Sequence, residues 1–160
     1  MNLIPEACFF TGHRVIEDNE KSELFSTLTD AVTDMAEHGV SVFICGGALG
    51  FDTYAAQAVL SVREKYDIKL CLYLPCDDQS ADWEAADQSE YNRILSLADE
   101  VFFVNHGNKS PALMKKRNRA MVSAADYCIC YLKNPKSGTA QTVRMAKEKG
   151  IEIINLYDIM

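Results

Sequence analysis

The residues in this chain most able to do chemistry are glycines that follow an apolar run. Val40-Ser41-Val42-Phe43-Ile44-Cys45 reads as a buried strand, and Gly46-Gly47-Ala48-Leu49-Gly50-Phe51-Asp52 turns it into an Ala-rich amphipathic segment. Glycines at such a turn accept positive φ and let a ligand approach where a Cβ would block it. The first amides of the following helix have no intrahelical partner and favour an anion, so the expected guest is a phosphate. The spacing is neither the dinucleotide fingerprint G-x-G-x-x-G nor a P-loop, which ends in Gly-Lys-Ser/Thr. A tight turn that binds nothing is the competing reading of Gly46, Gly47, Ala48 and Gly50. Asp52 stands where a helix N-cap is expected.

Other groups point the same way. Thr11-Gly12-His13-Arg14 follows the apolar run from Ala7, so Arg14 can clamp a phosphate and His13 can bond a base or sugar; a surface ion pair and an incidental imidazole explain them equally well. Ser137-Gly138-Thr139 sets hydroxyls and a glycine at a helix start, with Thr142 three residues on; this suits either an anion site or an ordinary cap. Arg117 interrupts the apolar stripe Leu113, Ala120, Met121 and Ala124, and Asn118 stands beside it. A guanidinium at a core-facing position needs a cleft or a buried partner. Trp83 and Tyr91 flank an acidic irregular stretch and can either stack on a nucleobase or anchor that loop. His38 and His106 complete no triad, and no serine sits in a nucleophile elbow.

The elements that must position these groups alternate along the chain. Strands are expected at Ala7 to Thr11, Val40 to Cys45, Lys69 to Leu74, Val101 to Val104, Tyr127 to Leu132 and Ile151 to Leu156. Helices fill the intervals, with start signals at Asn19, in an Asp87 to Glu90 capping box, at Ser110-Pro111 and at Ser137, and stops at Gly39 and Gly150. Six strands alternating with helices imply an α/β chain, a three-layer α/β/α arrangement around a mostly parallel sheet. In such sheets ligands sit beyond the carboxyl ends of the strands, where the strand order reverses. If the first, second and fifth strands are neighbours, the loops at 11–14, 46–50 and 137–139 meet in one crevice.

Composition bounds the function. At 160 residues and 48% hydrophobic content the chain is long enough for one core, and residues 1–160 are read as one domain. No apolar stretch is long enough to span a bilayer, and the stretch from Met1 to Pro5 lacks the features of a signal peptide, so a cytoplasmic protein with no membrane partner is expected. Five of the six cysteines lie in strand-like apolar runs without metal-ligand spacing, which favours core thiols over a metal. A formal charge of −7 argues against general nucleic-acid binding but leaves room for a small anion at a local basic cluster. It is also compatible with a homo-oligomer.

Taken together, Phe9-Phe10-Thr11-Gly12-His13-Arg14, Gly46-Gly47-Ala48-Leu49-Gly50-Phe51-Asp52, Arg117-Asn118-x-x-Met121-Val122 and Ser137-Gly138-Thr139-x-x-Thr142 resemble the SLOG superfamily of Rossmann-like nucleotide-binding proteins, in particular its YpsA-like branch. The resemblance covers nearly the whole chain and includes Trp83 and Tyr91. It implies a Rossmann-like fold with a crevice for a nucleotide-derived ligand of the ADP-ribose, NAD or AMP type, in a binding or sensor module. The Lonely Guy phosphoribohydrolases are similar, but the position matching their catalytic glutamate is Thr142, which offers no carboxylate. The alternative, a nucleotide hydrolase of the N-glycosidase or phosphoribohydrolase kind, therefore needs Asp52, Glu84 or His13 in that glutamate's place. The DNA-processing protein A family has a loop similar to Gly47-Ala48-x-Gly50-x-Asp52 and binds single-stranded DNA, a partner the acidic balance disfavours.

Overall fold

A computed structural model describes residues 6–160. The stretch 1–5, on which the signal-peptide reading rests, lies outside the described residues. Apolar runs become strands and helical-period segments become helices in strict alternation: β1 Glu6–Gly12, α1 Lys21–Glu37, β2 Val40–Cys45, α2 Phe51–Arg63, β3 Lys69–Leu74, α3 Ala85–Leu97, β4 Glu100–Phe103, α4 Pro111–Ala124, β5 Tyr127–Tyr131, α5 Gly138–Lys149, β6 Glu152–Asn155 and α6 Leu156–Ile159. The strands form one parallel sheet in the order β4-β3-β2-β1-β5-β6. This is the expected three-layer α/β arrangement with a Rossmann-like course.

The order reverses at β1. The chain first builds outward through β2, β3 and β4, then returns to lay β5 along the other side of β1, pairing Cys8 with Tyr127 and Gly12 with Tyr131. The first, second and fifth strands are therefore neighbours, and the crevice at the carboxyl ends of β1 and β5 is the switch point of the sheet.

Period-two alternation divides the core between the two faces. Cys8 and Phe10 of β1 join Phe43, Leu24 and Leu28 of α1, Phe51 and Val59 of α2, and Leu156. Ala7 and Phe9 face the opposite way, with Ile44, Cys128, Cys130, Met121 of α4 and Val143 of α5. All six cysteines are buried free thiols. At the far edge β4 is exposed along its whole length, with Phe102 at 52% and its ring set edge-on to Tyr73.

Several local expectations are corrected. Asn19 is not an N-cap: a 3-10 turn, Asp18–Glu20, precedes α1, and the carboxylate of Glu20 accepts from the Tyr131 hydroxyl and Lys133 Nζ. There is no capping box at Asp87, because α3 has already begun at Ala85 and Asp87 lies inside its first turn. The last strand stops at Asn155, whose side chain accepts from the amides of Leu132 (3.0 Å) and Tyr157 (3.2 Å), ending the ladder and capping α6 together. By contrast, Ser110 with Pro111 and Ser137 cap their helices, and Gly150 closes α5 in the left-handed conformation.

Candidate functional site

At the switch point lies a cavity of about 300 Å³, lined by Phe10, Thr11 and Gly12 from the end of β1 and His13 and Arg14 just after it, Ala48 from the β2–α2 turn and Asp52 from the start of α2, Met114, Arg117, Asn118 and Met121 from α4, and Ser137, Gly138 and Thr139 from the start of α5. Most residues singled out in the sequence thus meet here. Gly46, Gly47, Gly50, Thr142, Trp83 and Tyr91 do not line it.

The glycines of the β2–α2 turn serve the protein's own packing. A Cβ on Gly46 would lie 2.6 Å from an Arg117 guanidinium nitrogen, and one on Gly47 would lie 2.8 Å from Leu74. Gly50 holds φ at +75°, and a Cβ there would stand 2.2 Å from the Arg14 carbonyl oxygen. The loop after β1 therefore lies directly on the head of α2, and the first amide of that helix, Phe51, donates to the His13 carbonyl (3.1 Å). Gly12 is likewise fixed by packing, because a Cβ would penetrate the Phe51 ring at 2.3 Å.

Asp52 is not an N-cap; Gly50 occupies that position. Asp52 sits in the first turn, 7% exposed, and its Oδ2 accepts from the Ala48 amide (3.1 Å). Burial pushes its carboxyl above the ordinary value, against the opposing pull of the Arg117 charge and the Ala48 amide. A carboxylate here, together with the claimed first amide, makes the head of α2 a poor anion site.

The head of α5 differs. Ser137 Oγ accepts from the Ala140 amide (3.1 Å), while the amides of Gly138 and Thr139 have no partner among the described residues. The first turn carries no acidic residue, and the face of Gly138 is open, with nothing within 4 Å of where a Cβ would stand. Arg14 is exposed at the rim and makes no ion pair among the described residues. Thr142 is turned away: it is fully buried and its hydroxyl donates to the Gly138 carbonyl (3.1 Å).

Arg117 is 4% exposed and serves both as cavity wall and as structural pin. Its guanidinium donates to the Gly46 carbonyl, and its Nε donates to Asn118 Oδ1 (2.9 Å). His13 is held from the other side: its Nε2 accepts from the amides of Lys133 (2.9 Å) and Asn134 (3.3 Å), which requires a neutral ring. Burial and the nearby Lys133 charge depress its pKa.

Trp83 and Tyr91 pack edge-to-face on each other with centroids 5.3 Å apart, and Tyr91 closes over Gly47. The acidic stretch around Trp83 is tied down by Asp77, which accepts from Gly107 (2.9 Å), by Asp78, which accepts from Lys109 (2.6 Å), and by an ion pair of Asp82 with Lys109. Sequence reasoning missed Met114, a wall of the cavity, and Gln79, which is buried and donates to the Gly46 carbonyl (3.3 Å). The position of Met114 three residues before Arg117 was its only signal; Gln79 lies in an aperiodic loop and had none.

A second cavity of about 430 Å³ shares Arg14 and is walled by Lys21, Tyr54, Gln57, Asp87 and Glu90, among others. Of the two carboxylates in its lining, Glu90 is already paired with Arg93 and bonded by Gln57 (2.5 Å). The switch-point cavity, with unclaimed amides, is the better candidate despite its smaller size.

A family model described as the YspA SLOG family matches residues 8–159. The uncharacterized SPbeta prophage-derived protein YoqJ of Bacillus subtilis (strain 168) is 30% identical over 140 residues, covering 80% of each chain. Among solved structures, DNA processing protein A from Helicobacter pylori, described with a single-stranded DNA binding mode, superposes with a TM-score of 0.68 at 20% identity. The match covers 93% of this chain but only 64% of that one. The molybdenum cofactor carrier protein from Chlamydomonas reinhardtii superposes at 0.58 and 13% identity, covering 94% of this chain and 75% of that one. At these identities the structural likenesses establish the fold alone.

Proposed function

The chain belongs to the YspA SLOG family, and from that premise we propose that it is a binding or sensor module for a small phosphate-bearing, nucleotide-like ligand, acting in the cytoplasm. The phosphate sits at the head of α5, on the amides of Gly138 and Thr139, with Arg14 at the rim. The observation that carries this reading is the contrast between the two helix heads at the crevice. α2 has its first amide bonded to His13 and a carboxylate in its first turn, whereas α5 leaves two amides unclaimed behind an open glycine face. AMP, ADP-ribose and NAD are the first ligands to test.

A ligand at a hundredfold excess over its Kd stabilises the fold by about 2.7 kcal/mol, so a melting screen reads binding directly. The proposal expects an upward shift with at least one of these nucleotides, lost in Gly138→Ala. No shift with any of them overturns it, and a shift with single-stranded DNA alone redirects it to a nucleic-acid partner.

A hydrolase is the second reading, and the geometry narrows its residues. His13 spends Nε2 on two backbone amides, and Glu84 is exposed at the start of α3 and lines neither cavity described above. Asp52 remains as the carboxylate lining the crevice. Base or ribose phosphate released from a bound nucleotide, abolished in Asp52→Asn, would support this reading over the sensor.

A further inference from the structure

The anion site leaves unused a carboxylate oxygen and a half-buried donor that share its cavity. Asp52 is 7% exposed, and only Oδ2 is engaged; Oδ1 accepts no hydrogen bond among the described residues. Oδ1 is not among the buried polar atoms left without a partner, so it keeps access to the cavity, and a ligand that displaces water there must donate to it in the water's place. On α4, Asn118 spends Oδ1 on Arg117 Nε (2.9 Å). Arg117 is in turn anchored on the Gly46 carbonyl, which fixes that orientation. The part of Asn118 left for the cavity is its NH₂ group, a donor. The cavity thus has an anion-binding end at Ser137 to Thr139, and a carboxylate acceptor with an amide donor elsewhere in its wall.

A second phosphate would be repelled by Asp52. What satisfies an acceptor and a donor together is a group that both gives and takes hydrogen bonds, and a vicinal pair of hydroxyls does so at two adjacent atoms. We propose that Asp52 and Asn118 hold the 2′,3′-diol of a ribose whose 5′-phosphate lies at the head of α5, so that the site selects ribonucleotides over deoxyribonucleotides. The inference rests on the phosphate reading above. At about 300 Å³ the cavity is at the small end for ligand sites, which suits a sugar phosphate with the base leaving through the mouth. Asp52 and Asn118 are specificity-determining contacts in this assignment, and Arg117 is a positioning residue for Asn118.

The test is titration calorimetry of the full chain with inorganic phosphate, ribose 5-phosphate, AMP and 2′-deoxyAMP, and with GMP and 2′-deoxyGMP, on wild type and Asp52→Asn. The asparagine keeps an oxygen for the Ala48 amide and replaces the free acceptor by a donor. Wild type is expected to bind AMP about tenfold or more tighter than 2′-deoxyAMP, as for a charge-assisted hydrogen bond lost. Asp52→Asn is expected to bind the two alike while holding inorganic phosphate at least as well as wild type. Equal binding of AMP and 2′-deoxyAMP by wild type overturns the diol assignment alone. A ribose preference that survives in Asp52→Asn overturns it too, as does tight binding of GMP and 2′-deoxyGMP alike with AMP weak, which would place a guanine edge on Asp52 and Asn118. Failure of every probe, inorganic phosphate included, overturns the phosphate site and this inference with it.

Discussion

His13 Nε2 accepts the Lys133 amide at 2.9 Å, joining the end of β1 to the loop that leads into α5 across 120 residues of chain. This bond and its companion from Asn134 exist only with a neutral imidazole, protonated on Nδ1. The folded-state pKa lies below the ordinary 6.5 because the ring is partly buried and faces the Lys133 charge. Its contribution to stability is therefore complete above about pH 6.5 and is lost as the pH falls through the depressed value. Melting temperature measured from pH 8 to pH 5 should fall on the acid side, and His13→Gln should lack that component. An unchanged profile in the variant would show that the ring does not carry this dependence.

Two glycine substitutions separate packing from binding. Gly50→Ala forces a Cβ into the Arg14 carbonyl at a positive φ and should cost more than about 2 kcal/mol, read by chemical denaturation. Gly138→Ala meets nothing within 4 Å and should leave stability unchanged or slightly raised while removing nucleotide binding. Loss of stability at Gly138 equal to that at Gly50 would remove the reason for reading its open face as a ligand surface.

Asp52→Asn should raise stability near neutral pH. Burial raises the folded-state pKa above the unfolded 3.8, so ionised Asp52 weakens the fold once the pH exceeds that raised value. The gain in the asparagine variant should shrink as the pH is lowered and vanish below about 3.8. A gain that persists in acid would have another origin.

Arg117→Ala should destabilise the protein by about 3 kcal/mol, because it leaves the Gly46 carbonyl with Gln79 as its remaining side-chain donor and Asp52 without its neighbouring cation. Arg117→Lys keeps the charge but not the fork that reaches Gly46 and Asn118 together, and should recover only part of that loss. Urea unfolding of both variants distinguishes this from a purely surface role, which predicts losses under about 0.5 kcal/mol.

The fold was largely legible because apolar runs of four to seven residues and helical-period segments hardly overlap in this chain. Convergence of the 11–14 and 137–139 loops followed once β5 lay beside β1. Roles inside the turn were not legible. Gly46, Gly47 and Gly50 have the spacing of a ligand cradle, yet their missing side chains make room for Arg117, Leu74 and a backbone carbonyl, all distant in sequence. Spacing reveals where a chain needs bare backbone, not what approaches it. Caps were legible in part: Ser110 and Ser137 cap their helices, whereas Asn19 and Asp87 carry short polar side chains suited to a helix start and cap none, and Asn155, read as strand, caps α6 while also holding Leu132. Trp83 and Tyr91 suit either a base or a loop anchor in the sequence; in the fold they pack edge-to-face on each other and stand outside the lining of the switch-point cavity.

The reversal of strand order at β1 also has a temporal meaning. A nascent polypeptide emerging from the ribosome can assemble β1 to β4 with the first three helices while one long flank of β1 stays bare. That flank is covered only when β5 follows α4, and both halves of the crevice exist only once the head of α5 has followed in turn. The crevice is thus absent until the chain has doubled back past its first strand, and then forms in one step.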